Sequence, residues 1–195
     1  MATAEASRTR IRSLTSIGLG VAFVATIFLA NWAISTFGTV PVGFGLAAPA
    51  GVYFAGLAFT LRDLLHESAG PRAVFIAILI GAALSAIVSP AFAIASATAF
   101  LFSELADFAV YTPLRRRRWL TAVIASNLVG LVVDSILFLW LAFGSLTYLT
   151  GQVVGKAWMT ALAVVVLALA RHLWASSDGR FGGLLTPSAA DPVSA

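Results

Sequence analysis

Residues 119–143 read WLTAVIASNLVGLVVDSILFLWLAF, twenty-five residues in which Asp134 is the only ionisable group. At 1.5 Å per residue such a helix is about 37 Å long, enough to cross a hydrocarbon core about 30 Å thick. Its apolar residues fall on every face, which places it in lipid or deep in a large core. A chain of 195 residues has no room for a core that would swallow it. The segment is therefore read as a membrane span, and the neighbouring sequence is read outward from it.

Similar apolar stretches flank it on both sides. Downstream lies a span over about residues 151–174, and upstream lie spans over about 91–111, 73–88, 49–65 and 14–34. The expected architecture is an all-α polytopic membrane protein of six transmembrane helices. Residues 1–13 form a polar N-terminal segment, 14–174 the transmembrane domain and 175–195 a disordered tail rich in small and polar residues. Composition agrees: 60% of residues are hydrophobic and 10% charged, far from the roughly 25% charged of a soluble domain. The first apolar run follows Arg8, Arg10 and Arg12 as a signal peptide would, but it is longer than a signal core and further spans follow. It is read as a retained helix.

The arginines lie at helix ends. Arg8, Arg10 and Arg12, Arg62 and Arg72, Arg115 to Arg118, then Arg171 and Arg180 all fall on one side, and the opposite loops carry no Lys or Arg. By the positive-inside rule both termini are cytoplasmic and the protein spans the cytoplasmic (inner) membrane. The net charge of +4 does not call for nucleic acid, because the Arg115–Arg118 run sits in a short loop between two spans and reads as a topology determinant.

Four ionisable residues remain inside the expected spans: Glu104, Asp107, Asp134 and Lys156. Each charge facing lipid costs at least about 2.5–3.5 kcal/mol, so these groups must face the bundle interior or pair. Helical spacing groups Ser96, Ser103 and Asp107 on one stripe, Asn127, Gly130 and Asp134 on another, and Gln152, Lys156 and Thr160 on a third. By depth Asp134 and Lys156 reach one level, with Glu104, Asp107 and Asn127 below them. Gly81, Ser85 and the alanines of the fourth helix are read as helix-contact positions. Asp63, His66 and Glu67 mark the cytoplasmic end of the second helix, where Asp63 and Glu67 are candidates for a gate or coupling site, or else pair with Arg62 and Arg72 in solvent. Asn31 either caps a helix end or reaches a ligand. Buried ion pairs that only fix helix packing are the competing reading of the whole set.

Catalytic machinery is missing. Cysteine is absent, the two histidines His66 and His172 sit at helix ends, and there is neither a metal-binding pair at helical spacing nor a phosphate-binding glycine loop. No enzyme, cofactor or metal is expected. A bundle lined with carboxylates, amides and one lysine suits a small polar solute instead.

Several motifs occur in order: Ala30-Asn31, Pro49-Ala50-Gly51, residues 62–70 (RDLLHESAG), Ala95-Ser96, residues 103–107 (SELAD), Ser126-Asn127, Asp134-Ser135 with Phe138, and residues 151–156 (GQVVGK). Their order and spacing over residues 27–165 resemble the queuosine precursor transporter family, a vitamin-uptake-transporter-like group of six-helix membrane proteins. The resemblance implies a fold similar to the substrate-binding subunits of vitamin uptake systems. It also implies inward transport of a 7-deazapurine, 7-cyano-7-deazaguanine or its 7-aminomethyl relative. Such a ring offers a ring N–H beside an exocyclic amine to a carboxylate such as Asp134, Glu104 or Asp107, and a carbonyl to Lys156, Gln152 or Asn127. Trp158, Phe100 and Phe138 are candidates for stacking on the ring. Many relatives have glutamine at the position of Glu104. The alternatives are uptake of another vitamin-like heterocycle with a separate energising ATPase module, or a structural membrane protein without a ligand. A homo-oligomer is open.

Overall fold

In a computed structural model the described backbone covers residues 2–115 and 119–177, with side chains described from residue 13 and not over 115–120, at 123 or beyond 169. The expected tail beyond residue 177 and the Arg116–Arg118 run lie outside it. The chain forms six helices and one small hairpin: α1 (Ala2–Phe37), β1 (Thr39–Gly43), β2 (Leu46–Pro49), α2 (Val52–Ala69), α3 (Pro71–Ser85), α4 (Pro90–Arg115), α5 (Trp119–Phe143) and α6 (Leu149–Ser177). The all-α, six-helix membrane architecture read from composition and spacing is the one observed. Among the described residues, four segments are long and apolar enough to cross a bilayer: Ser13–Phe37, Pro90–Leu114, Ile124–Phe143 and Leu149–Leu169. The shorter α3 is also apolar, and α2 carries Arg62, Asp63, His66 and Glu67 in its C-terminal half.

The outward surface is that of a lipid-embedded protein. Phe102, Leu105 and Phe108 on α4, Trp140 and Leu141 on α5, and Leu162, Val165 and Leu169 on α6 are all exposed. Water would not tolerate so continuous an apolar surface, whereas lipid tails solvate it.

Packing is set by small residues, as the sequence implies. A Cβ on Gly81 of α3 would lie 2.8 Å from Ile27 of α1, and Ser85 donates to the Ile27 carbonyl at 3.4 Å. A Cβ on Gly56 of α2 would lie 2.7 Å from Met159 and 2.8 Å from the Lys156 carbonyl, so α2 and α6 touch backbone to side chain. One apolar core joins Phe23, Phe59, Leu65, Val74, Ile78 and Phe100. Another joins Ile34, Ala95, Ala99, Phe138 and Leu139.

The hairpin is the departure from the loop expected between the first two spans. β1 and β2 pair antiparallel, with Gly43 opposite Leu46 and an irregularity between Pro41 and Gly43. The two-residue turn places Phe44 at φ 54° and Gly45 at φ 72°, the mirror-image geometry that suits the twist of a hairpin. The strands lie along α6: a Cβ on Gly151 would collide with the Ala47 carbonyl, one on Gly155 would lie 3.1 Å from Val42, and Phe44 stacks on Trp158 with ring centres 6.3 Å apart. Tyr53 closes the base by donating to the Pro41 carbonyl at 2.6 Å.

Candidate functional site

Between the helices lies a partly open cavity of about 50 Å3 whose polar wall is built by Asn31 and Thr26 (α1), Ser96 (α4), Asp134 (α5), and Gln152 and Lys156 (α6), and whose apolar wall includes Ile78, Phe100 and Phe138. A water needs about 10–15 Å3 by this measure, so the space holds about four.

Lys156 is 1% exposed and reaches across to α5, where it forms an ion pair with the Asp134 carboxylate and donates to Ser135 Oγ at 2.9 Å. Asp134 and Ser135 are adjacent on α5, and both meet the one ammonium. Ser135 Oγ in turn donates to the Leu131 carbonyl at 2.8 Å, so it accepts from Lys156 while its own proton is fixed. The Lys156 ammonium has three N–H groups, and these two partners engage two of them. In the apolar interior the pair is stable only because both charges are matched and hydrogen-bonded.

One turn earlier on α6, Gln152 is 1% exposed and lines the same cavity, and its Oε1 has no hydrogen-bond partner. A buried carbonyl of this kind costs about 1–3 kcal/mol when left unmatched. Asn31 behaves differently. It is fully buried, its Nδ2 donates to the Ile27 carbonyl at 3.0 Å and its Oδ1 accepts from Ser96 Oγ at 3.0 Å. It braces α1 against α4 and presents a fixed polar edge to the cavity.

A second polar cluster lies at the C-terminal half of α2. Arg62 is buried at 4% exposure, with Nη1 2.8 Å from Glu104 and Nε 3.2 Å from Asp63. Both distances satisfy an ion pair, although Nε and Glu104 Oε1 miss the angle of a hydrogen bond. Phe59 separates the two clusters: the Arg62 guanidinium lies 5.7 Å and the Lys156 ammonium 5.9 Å from its ring centre. Phe59 is stacked on Phe100 at 5.3 Å. Cations over a ring face are favoured by about 0.5–2 kcal/mol each, so this aromatic layer joins the clusters electrostatically while keeping them apart sterically.

Of the residues singled out from sequence, Asn31, Asp134, Gln152 and Lys156 come together at the cavity. Glu104 lies below them with Arg62. Asp107 sits against Gly130 at the α4–α5 contact with Oδ1 buried and unbonded. Asn127 is exposed and does not line the cavity. Asp63 is half exposed, and Glu67 is exposed. Of the stacking candidates, Phe100 and Phe138 line the cavity and Trp158 packs on the hairpin instead. Sequence reasoning missed two partners, Ser135 and the buried Arg62. The signal for Arg62 was the charge balance, since three carboxylates assigned to the spans faced a single lysine.

Residues 87–174, which hold α4, α5 and most of α6, match the family model described as "Putative vitamin uptake transporter". This agrees with the family resemblance carried by the sequence motifs. The matched part contains Asp134, Gln152 and Lys156, the charged and amide side of the cavity. No curated protein and no solved structure matches the chain.

Proposed function

We propose that this chain is an uptake transporter that carries a queuosine precursor, 7-cyano-7-deazaguanine or 7-aminomethyl-7-deazaguanine, inward across the cytoplasmic membrane with both termini in the cytoplasm. The observation that carries the reading is the buried, unpartnered Gln152 Oε1 beside the Asp134–Lys156 pair in a cavity to which all the helices contribute. The carbonyl has no partner on the protein, so a solute that displaces the water around it has to supply a donor there. A deazaguanine supplies several: its ring N–H and exocyclic amine suit Asp134 and Gln152, and its carbonyl suits the remaining Lys156 N–H. Phe100 and Phe138 give the flat ring apolar faces to lie against. Asn31 orients the polar wall, Glu104 and Asp107 extend it inward, and Asp63 and Glu67 stand where the route reaches the cytoplasm. The vitamin-uptake family match supports transport of a small solute, and the motif resemblance supports the deazapurine.

The test is growth of a host that neither makes nor imports queuosine precursors, expressing this chain and fed 7-cyano-7-deazaguanine at low concentration, with queuosine in tRNA as readout. Queuosine appears if the reading is right. Its absence despite verified membrane insertion sinks the deazapurine assignment.

A further inference from the structure

Among the described residues that line the central cavity, Asp134 and Lys156 are the only ionisable ones, and each is paired with the other. Both are buried, at 6% and 1% exposure, so each charge is spent before a solute arrives. A further cation stands close by: Arg62 lies on the Phe59 ring, which stacks on the lining residue Phe100. Its carboxylate partners Asp63 and Glu104 do not line the cavity.

The uncharged polar groups have committed most of their protons. Thr26 Oγ1 donates to the Phe23 carbonyl at 2.7 Å and Ser96 Oγ to Asn31 Oδ1 at 3.0 Å, so both hydroxyls offer a solute lone pairs only. Asn31 Nδ2 spends one of its two N–H groups on the Ile27 carbonyl and keeps the other.

We infer that the cavity admits only solutes without net charge, so that of the two deazapurines it takes the 7-cyano compound and rejects the 7-aminomethyl one. The specificity-determining features are the self-matched Asp134–Lys156 pair and the neutrality of Gln152 beside it. The inference rests on the transport reading above for the ring, and adds the charge at the ring's substituent.

The argument is one of charge balance. A primary amine is protonated at neutral pH, as lysine is, and it takes the cavity from no net charge to +1. Its ammonium could draw Asp134 away from Lys156, but the lysine would then be the cation left unmatched, and the total would be the same. Thr26 and Ser96 can accept hydrogen bonds from an ammonium without neutralising it, and an unmatched ion in such an interior is strongly disfavoured. Shedding the proton first costs on the order of a hundred- to a thousandfold at pH 7 for an amine nearly as basic as lysine. A nitrile meets none of these costs. It is uncharged and accepts without donating, which suits the N–H that Asn31 has left.

Full-length protein in detergent micelles is titrated calorimetrically at pH 7 with three 7-deazaguanines carrying cyano, aminomethyl or hydroxymethyl at position 7. The hydroxymethyl compound has the size of the aminomethyl one and no charge, so it separates charge from shape. The cyano and hydroxymethyl compounds should bind, and the aminomethyl compound should bind about a hundredfold more weakly than its hydroxymethyl counterpart. A gap of less than about tenfold between those two overturns the inference and leaves the deazapurine reading standing. The variant Gln152→Glu adds a carboxylate of nearly the same shape, and the aminomethyl compound should gain at least about tenfold on the hydroxymethyl one. An unchanged gap in folded Gln152→Glu would show that charge is not what excludes the amine. Should that variant misfold, the comparison in the native chain decides alone. Binding of none of the three compounds sinks the deazapurine reading and this inference with it.

Discussion

Replacing Lys156 by Met removes the ammonium and leaves the Asp134 carboxylate, 6% exposed, with no cation beside it. The thioether chain is nearly as long as the lysine stem, so the packing against Phe59 and Gly56 is kept and the change is mainly one of charge. Breaking one side of a buried pair costs about 3–5 kcal/mol, and the hydrogen bond to Ser135, which disappears together with the ammonium, adds to that side. At about 1.4 kcal/mol per tenfold, the folding equilibrium should fall by roughly a hundred- to several-thousandfold. The double variant Asp134→Asn with Lys156→Met removes both charges and should recover most of that loss, since a neutral replacement of a buried pair is often nearly neutral in stability. The assay is an equilibrium unfolding titration in mixed micelles beside uptake in cells. If the charges also meet the solute, the double variant is stable and transports nothing. A double variant that transports at the wild-type rate would reduce the pair to a packing brace. A single Lys156→Met variant as stable as wild type would show that the pair is not buried as described.

Gln152→Leu should leave stability unchanged or raise it, because the unmatched Oε1 disappears, while solute affinity falls by about 1–3 kcal/mol, or five- to 150-fold; equal affinity by thermal-shift titration would take Gln152 out of the site. Arg62→Met should destabilise by less than the roughly 3–5 kcal/mol of a fully buried pair, because Glu104 keeps 21% exposure, and adding Glu104→Gln should restore most of the loss, a rescue read in the same unfolding titration. Gly56→Ala should cost about 1–3 kcal/mol, since its Cβ meets the Lys156 carbonyl at 2.8 Å and forces α2 from α6; an unchanged midpoint would mean that the packing there gives way freely.

The helices were legible because lipid imposes a blunt requirement: about twenty apolar residues in a row, which residues 119–143 meet with one charge to spare. The Asp134–Lys156 meeting was legible for a related reason, as two opposite charges at similar depth have few other partners in a six-helix bundle. Arg62 was not, because an arginine about two turns from a helix end reads as a snorkelling anchor, and only its pairing across to α4 shows that it is buried. The hairpin escaped for a different reason. Its strands are short and carry Pro41 and Gly43, poor strand residues, and its turn places Phe44 in a left-handed conformation that a Cβ disfavours. What holds it is tertiary, the bare glycine face of Gly151 and Gly155 on α6, and no local pattern announces that. Asn127 shows the limit of helical stripes: it shares a face with Asp134 by spacing, but seven residues at 100° drift by about 20°, and its side chain ends outside.

The energetics of the cavity bear on what it selects. Asp134, Lys156 and Ser135 satisfy one another and form a neutral unit, so they hold a polar wall in place without demanding a ligand. Gln152 Oε1 is the member with no protein partner, and a solute that displaces its water without replacing the donor forfeits about 1–3 kcal/mol. A solute that brings an N–H to its Oε1 avoids that cost on binding, whereas one of equal size and apolarity does not. A site with a buried unmatched polar group rejects analogues that lack the complementary donor more strongly than a hydrophobic pocket rejects a missing methylene. The discrimination therefore comes from the neutral acceptor more than from the charged pair: the pair sets where the polar wall lies, and the glutamine decides which solutes gain by reaching it.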